Sequence, residues 1–440
     1  MAHRYNRSLE ASWKEGIAAV IMITITDYYV IPMGLMLGAS SLQIGLLVAV
    51  PHLLSSFAQL LAVTMTKLIG SRLRFLVYST LCQAVMLVGI ALLAFFTRPS
   101  GIWLFIFAIA LFRIVGSLIA TVWGSLVSDY LLPDERGNYF GWRSRITSIA
   151  GLISLICGGI VLYLMRQTSI HTGFFLLFLF TACARFISAY LMAQMEDIPL
   201  AHTEDSDFTF MQFIRRFNES NFVKFVAYVT SITFATQIAS PYFSVYMLKI
   251  LSFNYLQYMA IHLTSLFALI LSMPVWGRHA DLIGNAKVLK TTSICIPFIP
   301  ILWILTRYFP FLIGIELLAG FVWAGFNLCS VNYIFDAVTP EKRIRCLSYF
   351  ALINGIAIFL GANTGAFLLK YITPLLGSRF YTVFLISGLA RLAAHILFCR
   401  HFHEVRTSTQ KISSKDLFFS VLGIRPIIGR NKEVGMFTVR

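Results

Sequence analysis

The sequence is dominated by apolar runs that are long enough to cross a lipid bilayer. Residues 75–97, 225–248 and 347–369 contain no Asp, Glu, Lys or Arg, and a bilayer-spanning helix needs about 20 mostly apolar residues. Only 12% of the residues in the chain are charged, which is roughly half the share in a soluble domain. Such a chain cannot cover a water-facing surface of normal polarity, so the sequence predicts an all-α polytopic membrane protein.

Twelve segments meet this length requirement, and we number them as spans 1 to 12. Residues 28–66 are uncharged but too long for one span, and PMGLMLGASS at 32–41 supplies a turn that divides them. The predicted spans are 14–35, 42–66, 74–96, 102–127, 146–166, 172–194, 222–248, 254–277, 288–307, 311–334, 347–370 and 380–400. They predict an N-terminal segment 1–13, a six-helix bundle 14–194, a linker 195–221, a second six-helix bundle 222–401 and a basic tail 402–440.

The distribution of Lys and Arg predicts the orientation in the membrane. The N-terminus, the even-numbered loops and the tail hold 26 of these residues, whereas the odd-numbered loops hold six. Basic loops stay on the cytoplasmic side, so both termini are expected in the cytoplasm, and we expect a bacterial inner membrane. The net charge of +16 is spread over small groups of residues, so nucleic acid is not an expected partner. The tail either binds anionic lipid headgroups or is simply solvated.

The sequence also repeats itself half a chain apart. SDYLLPDERGNYFGWRSR at 128–145 shares its outline with FDAVTPEKRIRCLSYF at 335–350, and Asp129 and Asp336 are 207 positions apart. The pairs Pro133 and Pro340, and Arg136 and Arg343, have the same spacing. The repeat predicts two six-helix halves in parallel orientation. Such halves place a binding site between them near the membrane midplane.

Two of these loops resemble loops of the major facilitator superfamily. GRHADLIGNAKVL at 277–289 is similar to the Gly-x-x-x-Asp-x-x-Gly signature of that family, with Asp281 and Gly284 in the last two positions. The element between spans 4 and 5 looks like that of prokaryotic members, on Asp129, Pro133, Arg136, Gly137, Gly141 and Arg143. The resemblance covers residues 14–400 and implies two six-helix bundles, with spans 1, 4, 7 and 10 lining a cavity. Lys67 stands where the first-half signature has Asp.

Three charged residues lie inside spans that the resemblance assigns to the cavity. They are Asp27 in span 1, Arg113 in span 4 and Glu316 in the outer part of span 10, and a charge at the bilayer centre costs at least ~2.5–3.5 kcal/mol. We expect Asp27 or Glu316 to be the proton-coupling carboxylate and Arg113 to contact an anion. The alternative is a static Asp27–Arg113 pair that holds spans 1 and 4 in register.

Span 7 is the most polar of the spans and contains a break at Ser240-Pro241. A broken helix that lines a cavity can bend and expose carbonyl groups to a solute. Thr233 and Gln237 are therefore candidate solute contacts, and Tyr242 is a candidate cavity wall. The alternative is that the hydroxyl groups bond only to the backbone of their own helix.

Charged residues outside the cavity allow two further expectations. Arg185 in span 6 and Arg391 in span 12 occupy corresponding places, and we expect both to be structural and to extend towards the cytoplasmic interface. The loop residues Asp129, Arg136, Arg143, Asp281, Asp336 and Arg343 are expected near the cytoplasmic helix ends. Ion pairs between them across the two halves would form a weak latch for the outward-open state. The alternative is that these charges only determine topology.

The expected function is secondary active transport of a small organic solute by alternating access, coupled to protons. The alternatives are an uncoupled facilitator, an anion exchanger, or a non-transporting membrane sensor or scaffold that signals through its tail. No nucleophile–base arrangement, metal cluster or phosphate-binding loop is evident in the sequence, so neither an enzyme nor a cofactor is expected. We expect a monomer whose partners are the solute, protons and membrane lipid.

Overall fold

The computed structural model describes residues 5–96, 99–132, 135–198, 220–338 and 340–405 together with Leu417. The side chains of residues 63, 67, 99 and 340–345 are not part of this description. Most of the predicted linker and tail, Pro133, and the side chain of Arg343 therefore lie outside the described residues. The described chain is helical, and its β-structure is limited to one isolated bridge between Leu375 and Ser378.

Twelve spans within the described residues are long and apolar enough to cross a membrane, as the sequence predicts. The helices of the first half are Asn6–Met36, Ser41–Ile69, Arg72–Leu92, Pro99–Asp129, Arg136–Met165 and Ile170–Met192. In the second half, span 7 is Asn221–Ile250 and span 9 is Asn285–Leu305. Spans 8, 10, 11 and 12 are Tyr255–Ile283, Phe309–Ala337, Pro340–Tyr371 and Arg379–Phe398.

Several spans begin earlier in the chain than hydropathy predicts, and spans 1 and 5 differ most. Span 1 begins at Asn6 rather than at residue 14, and span 5 begins at Arg136 rather than at residue 146. Ser8, Ser12 and Glu15 are buried in the first turns of span 1. These polar residues pack inside the protein rather than in lipid, so an apolar window does not detect the start of the helix.

Spans 7 and 9 are interrupted helices. Span 7 consists of the helices Asn221–Gln237 and Ser240–Val245 followed by a π-helical turn, Tyr246–Ile250. The break predicted at Ser240-Pro241 is confirmed, because Pro241 starts a new helix instead of continuing the first. Span 9 breaks between Cys295 and Phe298.

The two halves approach each other at the middle of the bundle and towards one side of it. We call the side of the N-terminus and the even-numbered loops the terminal side, and the opposite side the odd side. At the odd side, Lys249 Nζ donates to the backbone oxygen of Ala39 at 3.3 Å. A Cβ on Gly159 of span 5 would lie 2.6 Å from Cβ of Met259 in span 8. Span 2 packs along span 11, where a Cβ on Gly355 would overlap the side chain of Ser56.

Candidate functional site

Asp27 and Arg113 form an ion pair well inside the first half. Arg113 Nη2 donates to Asp27 Oδ1 at 2.5 Å, and the side chains are 29% and 44% exposed for Arg113 and Asp27, respectively. A pair this accessible contributes little net stability, so a solute or a proton can compete for either partner.

Glu316 lies apart from this pair, in a cavity of ≈ 220 Å³ inside the second half. Its Oε1 accepts a hydrogen bond from Trp303 Nε1 at 3.2 Å. The cavity is also lined by His262, whose ring centre lies 5.0 Å from that of Tyr28, the residue after Asp27. The structure therefore places the three charged candidates in two neighbouring sites rather than in one.

The candidate residues of span 7 do not join the Asp27–Arg113 pair. Thr233 donates its hydroxyl to the backbone oxygen of Val229 at 3.0 Å, which favours the backbone alternative for this residue. Tyr242 is fully buried and donates to the backbone oxygen of Ala362 at 2.6 Å. The ring therefore packs span 7 against span 11 in this structure, and a role for Tyr242 as a cavity wall stays a prediction.

Gln237 has a different environment from those two residues. It is half-buried, and its Cβ would lie 2.9 Å from a Cβ placed on Gly361 of span 11. This packing fixes the end of the first helix of span 7 against span 11. A role for Gln237 as a solute contact stays a prediction.

Several charged residues at the terminal side contact partners within their own half. Asp129 Oδ2 lies 2.8 Å from Arg72 Nη1, and Arg72 was not predicted as a partner from the sequence. Asp336 Oδ2 accepts from Asn285 Nδ2 at 2.7 Å. The expected pairs across the halves are not among these contacts.

The remaining predicted latch residues have separate surroundings. Arg143 Nη2 contacts Glu15 Oε2 at 3.3 Å, and Arg136 Nε donates to the backbone oxygen of Ser128 at 3.1 Å. Asp281 is exposed in the last turn of span 8. A Cβ on Gly137 would meet no atom within 4 Å, so nothing in the structure requires glycine at that position.

Two carboxylates that were not predicted from the sequence cap corresponding helices of the two halves. Asp197 Oδ1 accepts from the backbone nitrogen of Leu73 at 3.1 Å, and Glu404 Oε2 accepts from that of Ala286 at 2.7 Å. Each acid follows the last span of its half and satisfies a free N–H in the first turn of the third span. The two acids are 207 positions apart, so the repeat spacing could have identified them.

Gly284, the last glycine of the signature loop, is required by this cap. Its φ is +91°, in the left-handed region that favours glycine. A Cβ at this position would overlap Glu404 Oε2. The loop therefore turns between spans 8 and 9 and at the same time lets the Glu404 carboxylate reach the start of span 9.

A buried ionic network joins spans 1, 3, 5 and 6 of the first half. Arg185 is 3% exposed, and its Nη2 donates to Gln83 Oε1 at 2.6 Å. Glu15 Oε1 lies 3.8 Å from Arg185 Nη1 and accepts from Ser188 Oγ at 2.9 Å. The expectation that Arg185 extends to the interface is wrong, because the Glu15 carboxylate balances its charge inside the bundle.

Arg391 is also buried rather than extended towards the interface. It is 2% exposed, and its Nη1 and Nη2 donate to the backbone oxygens of Ile296 and Thr236 at 3.2 and 3.5 Å. The expectation that Arg391 extends towards the interface is therefore wrong. Its guanidinium borders the cavity that contains Glu316, which gives it an internal polar environment.

Comparisons with known proteins identify the architecture. The Major Facilitator Superfamily model matches residues 16–206 and 225–438. No curated protein sequence matches the chain. A mutant of the nucleoside transporter NupG superposes with a TM-score of 0.70 at 14% identity, over 89% of this chain and 100% of the other. A bacterial homologue of the iron transporter ferroportin, in an inward-facing state, gives 0.66 at 14% identity, over 90% and 98%.

A third structure has the same fold. A bacterial homologue of the human lysosomal transporter Spinster, inward-facing and unoccupied, superposes with a TM-score of 0.63 at 15% identity, over 92% of this chain and 98% of the other. At these levels of identity the similarity shows a shared fold only. It does not indicate that this chain transports the cargo of any of these neighbours.

Proposed function

Because the chain belongs to the major facilitator superfamily, we propose that it moves a small organic solute across the membrane by alternating access, coupled to protons. The chain is an integral membrane transporter and not an enzyme. The finer proposal rests on one observation, the accessible Asp27–Arg113 ion pair inside the membrane-spanning region. A small solute is the class of cargo that fits such a transporter.

The pair supplies the chemistry that coupling needs. A proton that neutralises Asp27 removes the counter-ion of Arg113, and the freed guanidinium then attracts an anionic group of the solute. When the solute leaves, the Asp27 carboxylate is again the best partner for Arg113. Proton release and pair formation are thereby linked, provided that the two states differ by only a few kcal/mol.

The terminal-side charges fit an exchange of partners during the cycle. Asp129 and Arg143 are held by Arg72 and Glu15 of their own half here, while the halves meet at the middle and towards the odd side. We propose that Asp129, Arg136, Arg143, Asp281, Asp336 and Arg343 form contacts across the halves when the terminal side closes. Gly137 and Gly284 belong to the same loops.

The test is a transport assay with purified protein in liposomes that contain a pH-sensitive dye. We would impose a proton gradient, add pools of small metabolites, and compare the wild type with Asp27→Asn. The matched control is Glu10→Gln, which removes a carboxylate that is 59% exposed and pairs only with Lys14 among the described residues. We expect a solute-dependent proton flux that Asp27→Asn abolishes and Glu10→Gln preserves.

A second readout separates coupling from binding. Exchange of labelled for unlabelled solute needs no net proton movement, so Asp27→Asn should retain exchange while it loses the flux. Solute uptake without any proton flux in the wild type would favour the uncoupled alternatives. A proton flux unchanged in Asp27→Asn would contradict the assigned coupling residue.

A further inference from the structure

The cavity of the second half is separate from the Asp27–Arg113 pair. Its volume of ≈ 220 Å³ equals that of about seven water molecules at ~30 Å³ each. Spans 7, 8, 9, 10 and 12 surround it. Polar groups line it on several sides, from Thr236, Ser240, His262, Ser265, Glu316 and Arg391.

Three polar atoms of this lining are buried without a hydrogen-bond partner. They are Arg391 Nε, Thr236 Oγ1 and His262 Nε2. More than 90% of buried polar groups in proteins have a partner, and each unpaired group costs free energy. Three such atoms around one cavity indicate that a polar ligand completes the site.

Comparison of the two halves shows what is missing around Arg391. Arg185, its counterpart 206 positions earlier, is balanced by Glu15 and hydrogen-bonded to Gln83. Tyr228 and Ile296 stand 213 positions after Glu15 and Gln83, respectively. The hydroxyl of Tyr228 is hydrogen-bonded to Ser293, and Ile296 offers Arg391 only its backbone oxygen.

Arg391 therefore has the burial of Arg185 without its counter-ion. Within the described part of the chain, no carboxylate forms an ion pair with it. A buried charge that lacks a partner is strongly unfavourable, and an anionic ligand would supply the partner. The free Nε and the neighbouring Thr236 hydroxyl are both available to the two oxygens of a carboxylate.

A second charged group, the Glu316 carboxylate, lies elsewhere in the same cavity. Glu316 forms no ion pair with any described residue, and its carboxylate is held by the indole of Trp303. Trp303 and Trp323 both line the cavity. A carboxylate beside two indole rings suits a ligand ammonium group, which gains from the negative charge.

We propose that this cavity binds a small zwitterion, a neutral α-amino acid, with its carboxylate on Arg391 and Thr236 and its ammonium group towards Glu316. This proposal names a substrate class for the transporter and so rests on the proposed function; Arg391 would hold the ligand carboxylate in the conformation described here, and Arg113 would hold it in the step in which Asp27 is protonated. The volume of the cavity suits a small amino acid.

The test is equilibrium binding by calorimetry on the purified full-length protein. The probes are L-valine, L-alanine and L-threonine, with 3-methylbutanoate as valine without the ammonium group and isobutylamine as valine without the carboxylate. We expect at least one amino acid to bind. Among the valine probes, each fragment should bind at least tenfold more weakly than any zwitterion that binds.

Variants test the assigned contacts. Arg391→Gln and Thr236→Val should each weaken amino-acid binding, the first by at least tenfold. Arg391→Lys keeps the charge but removes Nε, so it should recover only part of the loss. The matched control is Arg400→Gln, an exposed arginine just beyond span 12, which should bind as the wild type does. Thermal unfolding scans establish that each variant is folded, and Thr236→Val is the more conservative change.

Two outcomes would overturn the proposal: none of the three amino acids binds at millimolar concentration, or binding is unchanged in both Arg391→Gln and Thr236→Val. Either failure is distinguishable from failure of the proposed function. A metabolite-driven proton flux that depends on Asp27 would survive the first outcome. Amino-acid binding without any proton flux would instead leave this site intact and reject the coupling.

Discussion

Glu15 offers the most direct test of how the first half is held together. The perturbation is Glu15→Gln, which keeps the shape of the side chain but removes its charge. In the structure this carboxylate is 3% exposed and lies 3.3 Å from Arg143 and 3.8 Å from Arg185. Its loss leaves two guanidinium groups without the charge that balances them.

The size of the effect follows from these distances and from burial. At an effective dielectric constant of about 20, a pair at 3.8 Å interacts by roughly 4 kcal/mol. Arg185 is 3% exposed and cannot recover this energy from water. Arg143 stacks at 4.1 Å on the ring of Trp123 and is less buried, so its own loss is smaller. Removing one partner of a buried pair costs about 3–5 kcal/mol, and we expect a value in this range.

The assay is the free energy of unfolding in mixed micelles, followed by tryptophan fluorescence during a titration with dodecyl sulfate. Glu10→Gln, in the same helix but exposed and paired with Lys14, should change this free energy by less than about 0.5 kcal/mol. The double variant Glu15→Gln/Arg185→Gln should recover part of the loss, because it also removes the uncompensated cation. A Glu15→Gln value within about 0.5 kcal/mol of the wild type would refute the reasoning.

Three further predictions concern single contacts, and each can be measured by the same unfolding titration. Arg391→Met should raise the free energy of unfolding of the ligand-free protein, because it removes an unpaired buried charge. Arg185→Met should lower it, because it breaks the pair with Glu15. Equal effects at the two positions would contradict the inference that only Arg185 has a counter-ion. Gly284→Ala should destabilise by more than about 1 kcal/mol, because a residue with φ of +91° would bring its Cβ against Glu404; Gly314→Ala, where a Cβ meets no atom within 4 Å, is the control and should be neutral or stabilising. Asp197→Ala and Glu404→Ala should each cost about 0.5–2 kcal/mol as lost caps, and no change in either would mean that these carboxylates do not hold the third span of their half.

Much of the fold could be predicted from local patterns. Lipid provides no hydrogen bonds to the backbone, so an apolar run of sufficient length must be a helix, and the loop repeats that include Asp129 and Asp336 indicate two similar halves. The break at Ser240-Pro241 was also predictable, because proline cannot continue the hydrogen-bond ladder. The start of span 1 was not, because Ser8, Ser12 and Glu15 are polar but face other helices.

The sites depended much more on tertiary structure. Asp27, Arg113 and Glu316 could be selected from the sequence, because a charge inside the membrane is costly and is found mainly where it has a function. Their assignment to two separate sites required the tertiary structure. Sequence reasoning also treated Arg185 and Arg391 as equivalent, since each stands in the same local sequence. Only the packing shows that Glu15 reaches Arg185 while Arg391 has no such partner among the described residues.

The sequence by itself determined the number of spans, the repeat and the identity of the charged residues, because each of these follows from composition along one stretch of chain. Tertiary structure decided which side chains meet and which are buried. The physical reason is that hydropathy measures only transfer into lipid. The fate of a charge such as Glu15 or Arg391 depends on atoms contributed by helices far away in the sequence.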